Sequence, residues 1–212
     1  MELNTPLYNL STFSEVYEPS EDTFLFVDAL EADASFLLGL KPKVAIEVGS
    51  GSGVVMTSLA FLLKNSCSYF STDINLQACC ATKDTANLNG VSIECLNMDL
   101  LSGFKSNMFD IILFNPPYVV TDSSEVSGTG LNRAWAGGVN GREIIDKLLS
   151  NISEMLTDKG VCYLLLLKEN NPQEVISIMS NLKFDFKLVI QRKVPGELLY
   201  IYKFFRKFKI WL

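Results

Sequence analysis

A chain of 212 residues fits one sizeable domain, and with 48% hydrophobic residues it can bury a full core. The net charge of −6 argues against a nucleic-acid phosphate backbone as the main partner, which calls for a basic footprint. The absence of any histidine excludes histidine triads, histidine metal sites and a histidine general base.

Residues 1–18 read as an irregular arm. A helix is expected from Ser20 to about Ala32, with Glu21 and Asp22 at its positive end. Val44–Val48 is a short β-branched run ending at Gly49, hence a strand, and the apolar residues 54–63 after a glycine turn make a helix. A second strand follows at Cys67–Thr72 and a helix at Leu76–Asn89, closed by Gly90. Third and fourth strands are expected at Ser92–Leu96 and Phe109–Phe114. The stretch 120–141 is long, polar and glycine-rich, the mark of a functional loop. Helix Arg142–Leu156, strand Gly160–Leu167 and helix Pro172–Leu182 follow. The last two strands, 186–192 and 198–204, flank Val194-Pro195-Gly196-Glu197 as a hairpin. The expected fold is α/β: a seven-stranded, mostly parallel sheet with helices on both faces and a C-terminal antiparallel hairpin, as one domain over 1–212.

Composition adds further expectations. The mean hydropathy of +0.22 suggests an apolar surface that a partner covers. Lys203, Arg206, Lys207 and Lys209 put +4 into the last ten residues, a basic-aromatic tail over 205–212 that reads as a strand end or as a contact for a partner or membrane surface. Five cysteines without C-x-x-C spacing point to reduced, mostly buried thiols and a cytoplasmic protein. The first residues have neither a basic nor an apolar signal region, and no apolar run nears the roughly 20 residues of a membrane span.

The most informative residues are Asn115-Pro116-Pro117-Tyr118, at the carboxyl end of a strand, where open α/β sheets bind ligands. The Asn115 amide offers an acceptor and two donors. The Pro116 carbonyl has no ladder to join, because neither proline donates an N–H. Tyr118 supplies a flat apolar face. This combination suits an –NH2 group on an sp2 carbon, held by two acceptors and covered by a ring.

Glu47-Val48-Gly49-Ser50-Gly51-Ser52-Gly53 lies at a strand-to-helix junction. Its G-x-G-x-G spacing fails the G-x-G-x-x-G phosphate fingerprint, and Glu47 would repel a pyrophosphate. An acid beside a glycine turn suits a cation, such as the sulfonium and ammonium of S-adenosylmethionine. Asp73 ends the second strand, 24 residues beyond Gly49, and can accept both ribose hydroxyl protons or cap the next helix. Asp99 and Leu100 follow the third strand, where they can meet an adenine amino group and ring or form a turn. A hairpin closing such a sheet marks the S-adenosylmethionine-dependent methyltransferase fold.

Taken in order, Val16-Tyr17-Glu18-Pro19-Ser20-Glu21-Asp22-Thr23, the Glu47–Gly53 turn, Thr72-Asp73-Ile74-Asn75, Phe114–Val119 and Trp135-Ala136-Gly137-Gly138 resemble the eukaryotic, HemK-like release-factor glutamine methyltransferases. The resemblance implies that Thr23, Glu47, Gly49, Gly51, Asp73, Asp99, Leu100 and Asn115 hold S-adenosylmethionine, which leaves as S-adenosylhomocysteine. It implies that Asn115, Pro116, Pro117, Tyr118 and Trp135 receive the glutamine of a release factor's Gly-Gly-Gln loop, with Asn115, Pro116 and Tyr118 catalytic. It also implies a heterodimer with a small zinc-binding activator subunit, and a nuclear as well as a cytoplasmic location. Bacterial relatives carry a helical N-terminal recognition domain, whereas only some 40 residues precede the first strand here, so recognition falls to the 120–141 loop, the partner, or both. Trp135–Arg142 would form the substrate rim, with Arg142 either on the rim or capping the loop. Three rival readings stay open: a lysine methyltransferase of a histone tail, an adenine methyltransferase of DNA, and a silent module that only keeps the fold.

Overall fold

Seven strands form one sheet in the order β3-β2-β1-β4-β5-β7-β6, in a computed structural model that describes residues 3–127 and 130–206. The strands are β1 Val44–Val48, β2 Ser68–Asp73, β3 Glu94–Asn97, β4 Phe109–Phe114, β5 Leu156–Leu167, β6 Phe184–Val194 and β7 Glu197–Arg206. The first five are parallel neighbours; β7 pairs antiparallel with both β5 and β6. The principal helices are α1 Glu21–Ala32, α2 Ala34–Leu40, α3 Val54–Leu63, α4 Leu76–Leu88, α5 Ser123–Val126, α6 Glu143–Met155 and α7 Pro172–Asn181. The expected topology therefore holds, and α2 is an addition to it.

Alternation along the strands sorts the core into two layers. Val161, Tyr163, Leu165 and Leu167 of β5 pack with α1, α2 and α3, through Leu25, Phe26, Leu37, Met56 and Leu59. Cys162, Leu164 and Leu166 point the other way, onto Ile145, Leu149 and Ile152 of α6 and Val175 and Met179 of α7. Each large side chain so buried contributes about 1.5–3 kcal/mol. Asn75 caps α4 by accepting from Gln77 N (2.9 Å), and Gly90 leaves the helix with φ 66°. Pro172 opens α7, where its missing N–H costs nothing.

Two of the boundary differences have local reasons. β5 begins at Leu156 rather than Gly160, because Leu156 pairs with Phe109 before an irregularity lets Val161 pair with Ile111. The Asp110 carboxylate stabilises that irregularity by accepting from Thr157 Oγ1 (2.7 Å) and Lys43 N (2.6 Å). The tail starts later than expected. Phe205 and Arg206 belong to β7, and Arg206 Nη2 donates to the Ser153 carbonyl (2.5 Å); residues 207–212 of the expected tail lie outside the described residues. The N-terminal arm is irregular but anchored. Leu7 and Asn89 exchange two hydrogen bonds, and Asn75 Nδ2 donates to the Glu15 carbonyl (2.7 Å). Among the described residues no helix is long and apolar enough to cross a membrane.

Candidate active site

The strand order reverses direction between β1 and β4, which opens a crevice at their carboxyl ends. A cavity of about 380 Å³ fills it, lined by the arm (Glu15, Val16, Tyr17), the start of α1 and the turns after β1 to β4. Every residue expected to hold the cofactor lines this cavity: Thr23, Glu47, Gly49, Gly51, Asp73, Asp99, Leu100 and Asn115. Pro116 and Pro117 line it as well. Its ionisable lining is Glu15, Asp22, Glu47, Asp73 and Asp99 against one guanidinium, Arg133. Such a site favours a cation and disfavours a polyphosphate.

The glycines of the turn serve different ends. Gly49 and Gly51 have φ of 70° and 50°, and a Cβ on Gly51 would meet nothing, so that backbone faces open cavity. A Cβ on Gly53 would lie 2.7 Å from the Thr82 Cα, so this glycine lets α3 approach α4. Glu47 is buried and accepts from Met56 N (3.0 Å); burial holds its carboxyl well above the usual range. Asp73 accepts from Gly51 N (3.0 Å) and Asn75 N (2.8 Å), and desolvation also raises its pKa. The helix cap is thus Asn75, while Asp73 braces the glycine turn with its carboxylate in the cavity wall. Asp99 meets Lys147 Nζ (2.5 Å) at the exposed rim, and Leu100 beside it has φ 50°.

Asn115 carries the decisive feature. Its Nδ2 donates to Asp22 Oδ2 (3.0 Å), while its Oδ1 is buried without a hydrogen-bond partner among the described residues. A buried, unpaired acceptor costs about 1–3 kcal/mol, so its persistence calls for an occupant that donates.

Tyr118 and Trp135 do not face the first cavity. They line a second one, also about 380 Å³, with Tyr17, Glu21, Asp22, Val119, Ala134 and the hairpin residues Val194, Pro195, Glu197 and Leu199. Asp22 belongs to both walls. Burial and the nearby Asp22, Glu197 and Tyr17 push the Tyr118 hydroxyl up, so it stays protonated.

The described ends of the 120–141 loop are joined by backbone hydrogen bonds. Val119 N donates to the Trp135 carbonyl (3.0 Å) and Gly137 N to the Val119 carbonyl (2.8 Å). A Cβ on Gly141, whose φ is 65°, would stand 2.0 Å from the Tyr118 carbonyl oxygen, so only glycine fits. Fully buried Asn170 donates to the carbonyls of Tyr118 (2.8 Å) and Asn140 (2.9 Å), tying this loop to the end of β5. Arg142 lines neither cavity, and its backbone N–H closes the end of the loop on the Val139 carbonyl (3.2 Å). It is buried and pairs with Asp146 (2.8 Å) and Glu174 (2.7 Å), joining α6 to α7.

Residues 19–129 match the methyltransferase small domain family. The chain is 43% identical to human methyltransferase HEMK2 over 195 residues, 91% of this chain and 90% of that one. It belongs to the HEMK2-like methyltransferases. The *Schizosaccharomyces pombe* eRF1 methyltransferase catalytic subunit mtq2 is 34% identical, with 96% of each chain covered. The solved Mtq2–Trm112 complex of E. cuniculi, described as responsible for methylating the eRF1 termination factor, superimposes with a TM-score of 0.70. The match has 29% identity and covers 91% of this chain and 99% of that one. Membership in the HEMK2-like methyltransferases makes the chain an enzyme. Sequence reading took Asp22 for a helix-end acid and passed over Asn170. Neither has a local signal, since Asp22 meets Asn115 across 93 positions and Asn170 meets Tyr118 across 52.

Proposed function

We infer that this enzyme methylates the side-chain amide of the glutamine in a Gly-Gly-Gln release-factor loop, using S-adenosylmethionine. The observation that carries the reading is the orphaned, buried Oδ1 of Asn115, a residue in the wall of the acidic cavity whose amide is held by Asp22 of the partition to the second. The names of the relatives support the same acceptor.

The residues present fit the cofactor. Glu47 would face its positive charge, Asp73 its ribose, and Asp99 with Leu100 its adenine; Gly49, Gly51 and Thr23 complete the wall. S-adenosylmethionine, when bound, supplies an electrophilic methyl group. Asn115 Oδ1 and the Pro116 carbonyl accept the two N–H bonds of the substrate amide, turn its nitrogen lone pair toward the first cavity and stabilise positive charge growing there. The proton is then lost to water, and no strong base is needed. Tyr118 and Trp135 line the approach for the small Gly-Gly segment.

Glu47 makes cofactor binding pH-dependent. A cation stabilises the ionised carboxyl, whose pKa burial has raised, so binding below that raised pKa expels a proton. Affinity is expected to increase as pH rises through that value, and Glu47→Gln to flatten the dependence. Calorimetric titration in two buffers of different ionisation enthalpy measures the proton released; equal apparent heats would count against the assignment.

The partner we propose is a small zinc-binding subunit of the Trm112 kind. Among the described residues β3 is an unpaired sheet edge, and Leu96 upon it is an exposed apolar residue with no basic neighbour on that strand. The opposite edge, β6, carries Lys187, Arg192 and Lys193, which discourage strand addition. The function is tested by labelled methyl transfer to a Gly-Gly-Gln release factor, its Gln→Ala version, a histone tail and an adenine-containing DNA, with the partner present and absent. Label confined to the glutamine-bearing factor is expected; label on lysine or DNA alone refutes the acceptor.

A further inference from the structure

The Asn115 amide could face either way in its pocket, and only one orientation serves an N–H substrate. The structure shows what chooses between them. Asp22 sits in the first turn of α1, only 4% exposed, in the partition between the two cavities. Its Oδ2 accepts from Asn115 Nδ2 at 3.0 Å and its Oδ1 from Thr23 Oγ1 at 3.4 Å. A carboxylate accepts and does not donate. It therefore holds the –NH2 end of the amide against itself and repels the oxygen end. The consequence lies on the far side of the amide, where Oδ1 is left buried and unpartnered.

We propose that Asp22 is the positioning residue of the acceptor site: it fixes the Asn115 amide so that the oxygen, and not the –NH2, meets the incoming N–H group. This rests on the glutamine-amide reading above and names the group that makes Asn115 an obligate acceptor. Because Asp22 lines both cavities, it also couples the wall of the substrate cavity to the reacting residue. The hairpin steadies the helix that carries it, with Arg192 pairing to both Glu21 and Asp28 of α1.

Asp22→Asn has nearly the same shape but can both donate and accept, so the Asn115 amide becomes free to turn over. The assay is methyl transfer to the Gly-Gly-Gln factor by the enzyme with its partner subunit, alongside calorimetric cofactor binding. For Asp22→Asn, kcat is expected to fall about 10- to 100-fold while cofactor Kd and factor KM stay within about threefold. The exchanged pair, Asp22→Asn with Asn115→Asp, restores a donor facing an acceptor and leaves a carboxylate oxygen toward the substrate. It is expected to regain at least about tenfold over Asp22→Asn alone. Unchanged kcat in Asp22→Asn, or equal losses in kcat and cofactor affinity, or no recovery in the exchanged pair would each overturn the proposal. If the unaltered enzyme labels a different acceptor, the glutamine reading fails; the same variants assayed on that acceptor then judge the role of Asp22 separately.

Discussion

Asn115→Ala is expected to lower methyl transfer by at least about 100-fold while cofactor Kd changes no more than about threefold. The asymmetry follows from where each atom sits. The substitution removes Oδ1, the buried acceptor with no partner among the described residues, together with the Nδ2 bond to Asp22. It leaves the Asn115 backbone, whose carbonyl borders Gly49, and it leaves Glu47, Asp73 and the glycine turn. Binding that uses those groups should persist, whereas orientation of the amide nitrogen should not. Because an amide is a poor nucleophile, little reaction remains once that orientation is lost. Steady-state kinetics with calorimetric binding on the same preparation give the check. Parallel loss of binding and turnover would make Asn115 a cofactor residue and remove its substrate role.

The strand–helix alternation and the hairpin were legible because they rest on local signals: β-branched runs, glycine and proline punctuation, and apolar periodicity. That the residues expected to hold a cofactor would line one crevice was legible for a related reason. In a parallel sheet the ends of successive strands converge, so residues following β1 to β4 share one crevice whatever their separation in sequence. What the residues did not disclose is which polar atoms are already satisfied. Asn115 and Asp22 each look like free groups in sequence, and only their contact shows that the amide donates inward and keeps its acceptor bare. Tyr118 illustrates the same gap. Its adjacency to Asn115 suggested one shared cavity, but the two prolines extend the chain so that the ring lines the second cavity instead. The Gly137–Gly141 stretch read as loop composition; its close packing against the Tyr118 carbonyl depends on a neighbour 23 residues away from Gly141.

Asp33→Ala is expected to destabilise the protein by about 3–5 kcal/mol, although it lies outside both cavities. Asp33 joins α1 to α2 and is buried. Its Oδ2 accepts from Lys203 Nζ (2.5 Å) and the Tyr163 hydroxyl (2.6 Å), and Lys187 Nζ lies 3.7 Å from Oδ1. Lys203 is buried too, with its ammonium 3.3 Å from the centre of the Phe36 ring. Deleting the carboxylate would strand a cation in the core with ring faces and a hydroxyl for company. At about 2–4 °C per kcal/mol for a chain of this size, the melting temperature should drop by about 6–20 °C. The pH dependence separates charge from packing. Burial already lowers the Lys203 pKa, and losing Asp33 removes the chief opposing influence, so the folded variant would bind fewer protons than its unfolded chain. Its stability should then rise with pH toward the ordinary lysine value of about 10.4. An equal deficit at neutral and alkaline pH would instead assign the loss to the α1–α2 junction. Replacing both partners, Asp33→Leu with Lys203→Met, should recover much of the deficit, since an apolar pair has no charge to leave uncompensated. The link to activity is mechanical: this pair and Arg192 together hold α1 against the hairpin, and α1 carries Asp22. A variant loosened here should lose turnover at temperatures below its global melting point, before cofactor binding fails.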